Sequence, residues 1–312
     1  MDTLRGTAAP DAALDSVDSA LRDLARRALA EDVGRGDVTT ATTVPEDAVA
    51  SGSFVAKGES GTCVSGLAAA RAVFEEASGG LRFTPLVAEG AVVEPGTEVA
   101  RVEGEARAML AAERVALNLV MRLSGIATFT RMYAAECEAA GTGARITDTR
   151  KTTPGLRALE KAAVRAGGGV NHRSGLDDGV LIKDNHLAVA GGVTEAVRRA
   201  RQGAPHLLKV EVEVEDESGL REAISAGADV VLLDNMGPAE VAEAVSLVRS
   251  EAPGALVEVS GSVDLSTVRA YAEAGPDLIS VGALTHSAPA ADVSLDVSVG
   301  RGPDPLEEAP GD

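Results

Sequence analysis

The sequence predicts an α/β protein: an N-terminal α/β domain with a small sheet, followed by an incomplete (β/α) barrel. Three observations predict it. Beyond about residue 143, apolar runs rich in Val, Ile and Leu recur at 144–147, 179–182, 207–214, 229–233, 255–259 and 277–281. Helical patterns at 155–166, 191–202, 217–226, 238–250 and 264–274 separate them. The runs alternate little, as parallel strands buried on both faces do. Nearly every run ends in a reactive or small group: Arg150-Lys151, Lys183, Glu211/Glu213, Asp234-Asn235, Ser260-Gly261 and Gly282. Barrel enzymes gather a site from the C-terminal ends of several strands, whereas an open sheet concentrates it at one switch point. Six clear runs rather than eight make the barrel incomplete, or leave strands to be found near 125–143 and 167–172.

The N-terminal elements follow in order. Leu14, Val17, Leu21, Leu24 and Leu29 give 14–30 a helical period. Glycines in EDVGRGDVTT (31–40) then open a loop. Residues 50–66 alternate as strands do, and 67–78 are helical until Gly79-Gly80 stops them. Short strands over 81–104 surround a Pro95-Gly96 turn, and a helix is predicted over 105–124. The domains are therefore 14–125 and 126–286, with 287–312 a partly disordered tail. Residues 1–13 and 302–312 are expected to fray.

Composition narrows the function classes. The chain carries a formal net charge of −19 over 312 residues, which disfavours nucleic acid and anionic membranes as partners. Two cysteines, Cys63 and Cys137, lack metal-ligand spacing and suit a reducing compartment. No apolar run approaches the roughly 18 residues of a membrane span. These readings predict a cytoplasmic protein.

Against the overall charge, residues 145–186 hold eight Lys/Arg and five Asp/Glu, a local net charge of +3. Arg150, Lys151, His172, Arg173 and Lys183 lie on three consecutive connections, so a barrel would bring them to one mouth. Several cations at one mouth call for several anionic groups on the ligand, since a guanidinium pairs with carboxylates and phosphates. In VEVEVEDE, Glu211 and Glu213 share a strand face, and two inward carboxylates need cations, hydroxyls or metal. Asp234 ends the apolar run VVLLD. EVSGS (258–262) and SVGAL (280–284) place glycine after the last two strands, where barrels commonly hold phosphate. A ligand with carboxylates and phosphates follows, with Mg²⁺ suited to the acids beside the phosphates. Neither GxxxxGK[ST] nor GxGxxG after a strand occurs, which removes the usual nucleotide loops.

These motifs resemble one family. DTRKTTPGLRALEKAAVRAGGGVNHRSGLDDGVLIKDNHL (148–187) is similar to the central signature of quinolinate phosphoribosyltransferases, the carboxylating nicotinate-nucleotide pyrophosphorylases. EDVGRGDVTT, ERVALNLVMRLSGIAT (113–128), VEVEV, LLDNM (232–236), EVSGS and SVGALTHSAPAADVSLD (280–296) extend the resemblance in the same order.

The resemblance implies transfer of a phosphoribosyl group from 5-phosphoribosyl 1-diphosphate to quinolinate, with Mg²⁺ required. It gives nicotinate mononucleotide, pyrophosphate and CO2, in de novo NAD biosynthesis. It implies that Arg150, His172 and Arg173 hold the quinolinate carboxylates, with Lys151 and Lys183 close by. Glu213, or Glu211 if the register differs, and Asp234 would lie near the ribose hydroxyls and metal, and Ser260, Gly261 and Gly282 near the 5-phosphate. Lys151, Lys183, Glu213 and Asp234 are the expected catalytic groups. The resemblance also implies a homodimer or larger homo-oligomer in which Arg114 reaches a neighbouring subunit's site; the plain alternative for Arg114 is a surface salt bridge. Two rival functions are a paralogue with a different ring substrate and a Schiff-base aldolase using Lys183.

Overall fold

A computed structural model describes residues 12–58 and 60–299. Of the fraying expected over 1–13 and 302–312, residues 1–11 and 302–312 lie outside the described residues, while Ala12 and Ala13 open a helix instead. The chain divides into two compact units. One comprises the described residues up to Ser124 together with those from Ala290, and the other is Gly125–Pro289.

The first unit begins with α1 (Ala12–Val33), α2 (Val38–Thr43), β1 (Val49–Ala56), β2 (Thr62–Cys63) and α3 (Leu67–Ala77). It continues with β3 (Arg82–Pro85), β4 (Val92–Val93), β5 (Glu98–Glu105) and the start of α4 (Ala106–Ala140). α2 falls where the sequence predicts a loop. Asp37 caps it, accepting from the Thr40 backbone N–H at 3.0 Å and from the Thr40 hydroxyl, and the cap outweighs the β-branched residues that follow. The sheet is antiparallel, ordered Val293–Val299, β1, β5, β3. Its outer strand comes from the segment predicted as a tail. Alternation of Val293, Leu295 and Val297 is the strand signal there, and Ala56 pairs with Val293 at one end of the register.

The core of this unit holds three phenylalanines. Phe54 meets the rings of Phe74 and Phe83 edge-on, with centroids 5.9 and 5.7 Å away, while Phe74 stacks on Phe83. At Gly104, φ is +136°, and an added Cβ would sit 2.2 Å from the Gly80 carbonyl oxygen. Only glycine fits that approach.

α4 is 35 residues long and crosses position 124, so no strand occupies 125–140. No breaker stops it: Leu123, Ile126, Ala127, Thr130, Tyr133, Ala134 and Cys137 keep a buried stripe at helical spacing. Gly141, at φ +72°, follows its end.

The second unit is built on β6 (Arg145–Thr147), α5 (Arg157–Ala166), β7 (Val180–Ile182), α6 (Asp184–Ala190), α7 (Val193–Gly203), β8 (Val210–Val214) and α8 (Glu217–Ser225). β9 (Val230–Asp234), α9 (Pro238–Glu251), β10 (Leu256–Ser260), α10 (Val268–Glu273), β11 (Leu278–Ser280) and α11 (Ala283–His286) complete it. The six strands form one parallel sheet in the order β6-β11-β10-β9-β8-β7. The first strand thus lies beside the last, which an open doubly wound sheet does not do. On the other side of β6, Thr147 bridges Val170 in parallel, supplying the pairing sought near 167–172. No pairing joins Val170 to β7 among the described residues, so the wall stays open there. Helices make the crossovers that parallel strands require. Among the described residues no helix is long and apolar enough to cross a membrane.

Gly104→Ala is expected to lower stability by roughly 2 kcal/mol or more, because both the backbone and the Gly80 carbonyl oppose it. Urea unfolding checks this.

Candidate active site

Because the strands of the second unit are parallel, their C-terminal ends share one edge. Arg150 and Lys151 follow β6, His172 and Arg173 follow the bridge at Val170, and Lys183 follows β7. Glu213 lies near the end of β8, Asp234 ends β9, Ser260-Gly261 ends β10, and Gly282 follows β11. The structure therefore brings ten of the eleven predicted site residues to one rim. Arg114 belongs to the first unit, on α4. It is largely exposed and lies 3.5 Å from Glu113, the surface salt bridge given as its plain alternative.

Beneath the cations is a buried anchor. Asp148, fully buried at the end of β6, accepts from the Lys161 ammonium of α5, from the Asn171 amide, and from the His172 backbone N–H at 2.9 Å. The Lys161 ammonium also donates to the His172 carbonyl at 3.0 Å. Each charge is thus paired and hydrogen-bonded, which buried ions require. Glu160, also buried, holds Thr153 through its backbone N–H and hydroxyl at 2.9 and 2.8 Å. The loop carrying Arg150 and Lys151 is fixed at both ends in this way.

The interior carboxylates sort by depth. Glu211 and Glu213 both face inward, so the register question between them dissolves. Glu211 is the deeper and lies 3.0 Å from His172 Nε2, and Glu213 pairs with the Lys183 ammonium nearer the strand end. Glu258, on β10, places its Oε1 3.7 Å from the same His172 nitrogen. The Arg173 backbone N–H donates to His172 Nδ1 at 2.7 Å, which leaves the ring proton on Nε2, directed at Glu211. The His172, Glu211 and Glu258 donor atoms lie within 4.8 Å of one another, close enough for a metal, but the ring nitrogen a metal would need carries that proton. Burial, with the Glu211 charge beside it, pushes Glu258 up to about 7. Burial works against a charged His172, but the Glu211 hydrogen bond and the charges of Glu258 and Glu211 raise it overall.

Among the described residues Arg150, Lys151 and Arg173 form no ion pair; the Arg173 guanidinium donates to the Gly179 carbonyl at 3.0 Å. Burial, then the neighbouring Arg150 charge, holds the Arg173 guanidinium below its usual value. Glu211 and Asp178 act on Arg173 in the opposite sense without pairing with it, and cations crowded together with no ion-pair partner form a ready anion site. Lys183, by contrast, is held against Glu213 as an ammonium, a poor state for imine formation.

At the far side of the rim the backbone comes close to itself. A Cβ on Gly261, at φ +122°, would lie 2.6 Å from the Asn235 side-chain oxygen, and Asn235 itself adopts φ +57°. A Cβ on Gly282 would lie 3.0 Å from the Lys151 side chain, while the Thr285 hydroxyl donates to the Lys151 carbonyl at 2.8 Å. Lys151 thus adjoins the glycine end of the last strand.

Sequence reasoning missed Asp148, Lys161, Asn171 and Glu258 as parts of this site. The signal for Glu258 was present: a charge between Val257 and Val259, inside the apolar part of the strand. Lys161 carries no such signal, since a lysine in a helix is ordinarily a surface residue.

Comparison with known proteins follows this geometry. The N-terminal and C-terminal domains of quinolinate phosphoribosyl transferase match residues 37–124 and 126–296. A Mycobacterium leprae nicotinate-nucleotide pyrophosphorylase [carboxylating] is 45% identical over 281 residues, covering 89% of this chain and 97% of that protein. A probable enzyme of the same name from Bacillus subtilis is 43% identical over 279 residues, covering 89% and 94%. The structure of the nicotinate-nucleotide pyrophosphorylase from Francisella tularensis superposes with a TM-score of 0.84 at 35% identity, covering 95% of this chain and all of that one.

Two outcomes are expected. Lys161→Met should cost about 3–5 kcal/mol in chemical unfolding, because it strands the buried Asp148 charge. Glu258, raised from 4.5 to about 7, favours the folded state fully below the unfolded value and loses that contribution as pH rises through 7. Between pH 4.5 and 7, stability should therefore fall more steeply in the wild type than in Glu258→Gln, as thermal unfolding at a series of pH values would show.

Proposed function

The chain belongs to the quinolinate phosphoribosyl transferase family, and we propose that it joins quinolinate to 5-phosphoribosyl 1-diphosphate with loss of CO2. Nicotinate mononucleotide and pyrophosphate are the other products, the step that supplies de novo NAD biosynthesis. The observation that carries the reading is the set of three rim cations, Arg150, Lys151 and Arg173, without carboxylate partners in an otherwise acidic chain.

In this reading Arg150 and Arg173 bind the two quinolinate carboxylates, and His172 lines the same side. The tight turn at Gly261 and the Gly282 backbone receive the 5-phosphate, beside Ser260 and Lys151. Glu213 and Asp234, on neighbouring strands, meet the ribose hydroxyls. Their oxygen-only donor set also fits Mg²⁺, which they would hold with the diphosphate. Mg²⁺ supplies charge neutralisation for the departing diphosphate.

The residues act mainly by orientation. They align the pyridine nitrogen with the ribose carbon as diphosphate leaves, and the cations stabilise the charge that develops. Once the nitrogen is quaternised, the ring accepts the electron pair released when the 2-carboxylate departs as CO2. Lys183, an ammonium at the rim, is the proposed source of the proton that replaces it.

We place Arg114 in the site of a neighbouring subunit of a homodimer or larger homo-oligomer. Its exposure on α4, with one weak partner, supports this. The two cysteines are free and buried, which suits the cytoplasm.

Incubation with carboxyl-labelled quinolinate, phosphoribosyl diphosphate and Mg²⁺ tests the function. The expected result is labelled CO2 in step with nicotinate mononucleotide; no CO2, or a borohydride-trapped adduct on Lys183, overturns it. Arg150→Ala should raise the quinolinate KM by a factor corresponding to about 2 kcal/mol, with the fold retained. Steady-state kinetics and circular dichroism check both halves.

A further inference from the structure

Glu258 is costly where it stands. It occupies the middle of β10, is 1% exposed, and lies between two fully buried valines. An apolar residue would fill that position without desolvating a carboxylate. Its Oε1, like that of Glu211, is buried and has no hydrogen-bond partner. Glu211 and Glu258 stand on strands separated by β9, opposite Val230 and Leu232, so they are not neighbours along the wall. Both reach one nitrogen of the His172 ring, Glu211 at 3.0 Å and Glu258 at 3.7 Å, while the other ring nitrogen accepts from the Arg173 N–H. Lys161 also acts on the ring and is engaged with Asp148, while the Arg173 guanidinium feels the Glu211 charge.

We infer that Glu258 is a positioning residue for the reaction, acting through the His172 ring rather than on substrate. The two carboxylates hold the Nε2–H side of the ring from inside the barrel. The opposite nitrogen then fixes the Arg173 backbone, and with it the direction of the Arg173 guanidinium. A change deep in β10 is thereby transmitted to the rim, on the side assigned to quinolinate and not on the phosphate side. The elevated protonation of Glu258 agrees with this, since a carboxyl proton would give one of the partnerless oxygens a role. The inference rests on the functional reading above for its kinetic part only.

Glu258→Gln and Glu258→Leu, compared with the wild type as full-length enzyme, test it. The readouts are the KM of each substrate, the melting temperature, and the ring-nitrogen NMR signals of His172 in protein labelled with ¹⁵N-histidine. Both variants should keep the melting temperature or raise it, and should lift the quinolinate KM roughly tenfold. The phosphoribosyl diphosphate KM should stay within about twofold, and the His172 signals should move. An unchanged quinolinate KM with unmoved ring signals overturns the inference. So does a joint collapse of melting temperature and both KM values, which would mark a merely structural residue. If the wild type releases no CO2 from quinolinate, the functional reading fails instead, and the ring signals alone decide whether Glu258 sets the His172 ring.

Discussion

The buried Asp148–Lys161 pair is the constraint on which the rest of the second unit depends. It joins three segments that carry no regular pairing at that level: the chain leaving β6, helix α5, and the turn through Asn171 and His172. Two of these segments deliver the rim cations. Without a fixed origin, Arg150 and Lys151 would ride on a loop, and His172 and Arg173 on another. A buried ion pair adds little net stability over an apolar equivalent, but once present it cannot be half removed. Its contribution is a defined geometry, and the lost alternatives are the many arrangements in which two flexible loops carry like charges apart.

Charge is distributed in layers around this anchor. At the bottom, Glu211 and Glu258 close on His172. Above them Glu213 takes the Lys183 ammonium, and at the rim Arg150, Lys151 and Arg173 form no ion pair. The lower layers pair with their own cations, though one oxygen each of Glu211 and Glu258 keeps no hydrogen-bond partner, and the top layer is left for a ligand. That order explains how a chain of net charge −19 retains a strongly anion-seeking edge. It also separates the labour of the two glutamates on β8, which sit on one face and do different things.

Much of this was legible in the sequence, for identifiable reasons. Strands of a buried parallel sheet are apolar throughout, so all six runs appeared in the right order, and their reactive C-terminal residues marked the rim. What stayed hidden depends on tertiary context. α2 is a run of β-branched residues that is helical because Asp37 caps it. The strand Val293–Val299 alternates correctly but lies far in sequence from the sheet it joins. The helix predicted to end at 124 runs on through Gly125 to Ala140, because buried side chains at helical spacing continue as far as Cys137. Lys161 and Asp148 read as surface charges one at a time; only the fold reveals that they point at each other.

The central claim is that the rim exists to grip two carboxylates on one ring. Calorimetric titration with quinolinate and with nicotinate, at one ionic strength, tests it most directly. The mono-acid lacks the second anionic group, so it should bind at least about tenfold more weakly. Equal affinity for the two acids would contradict the account.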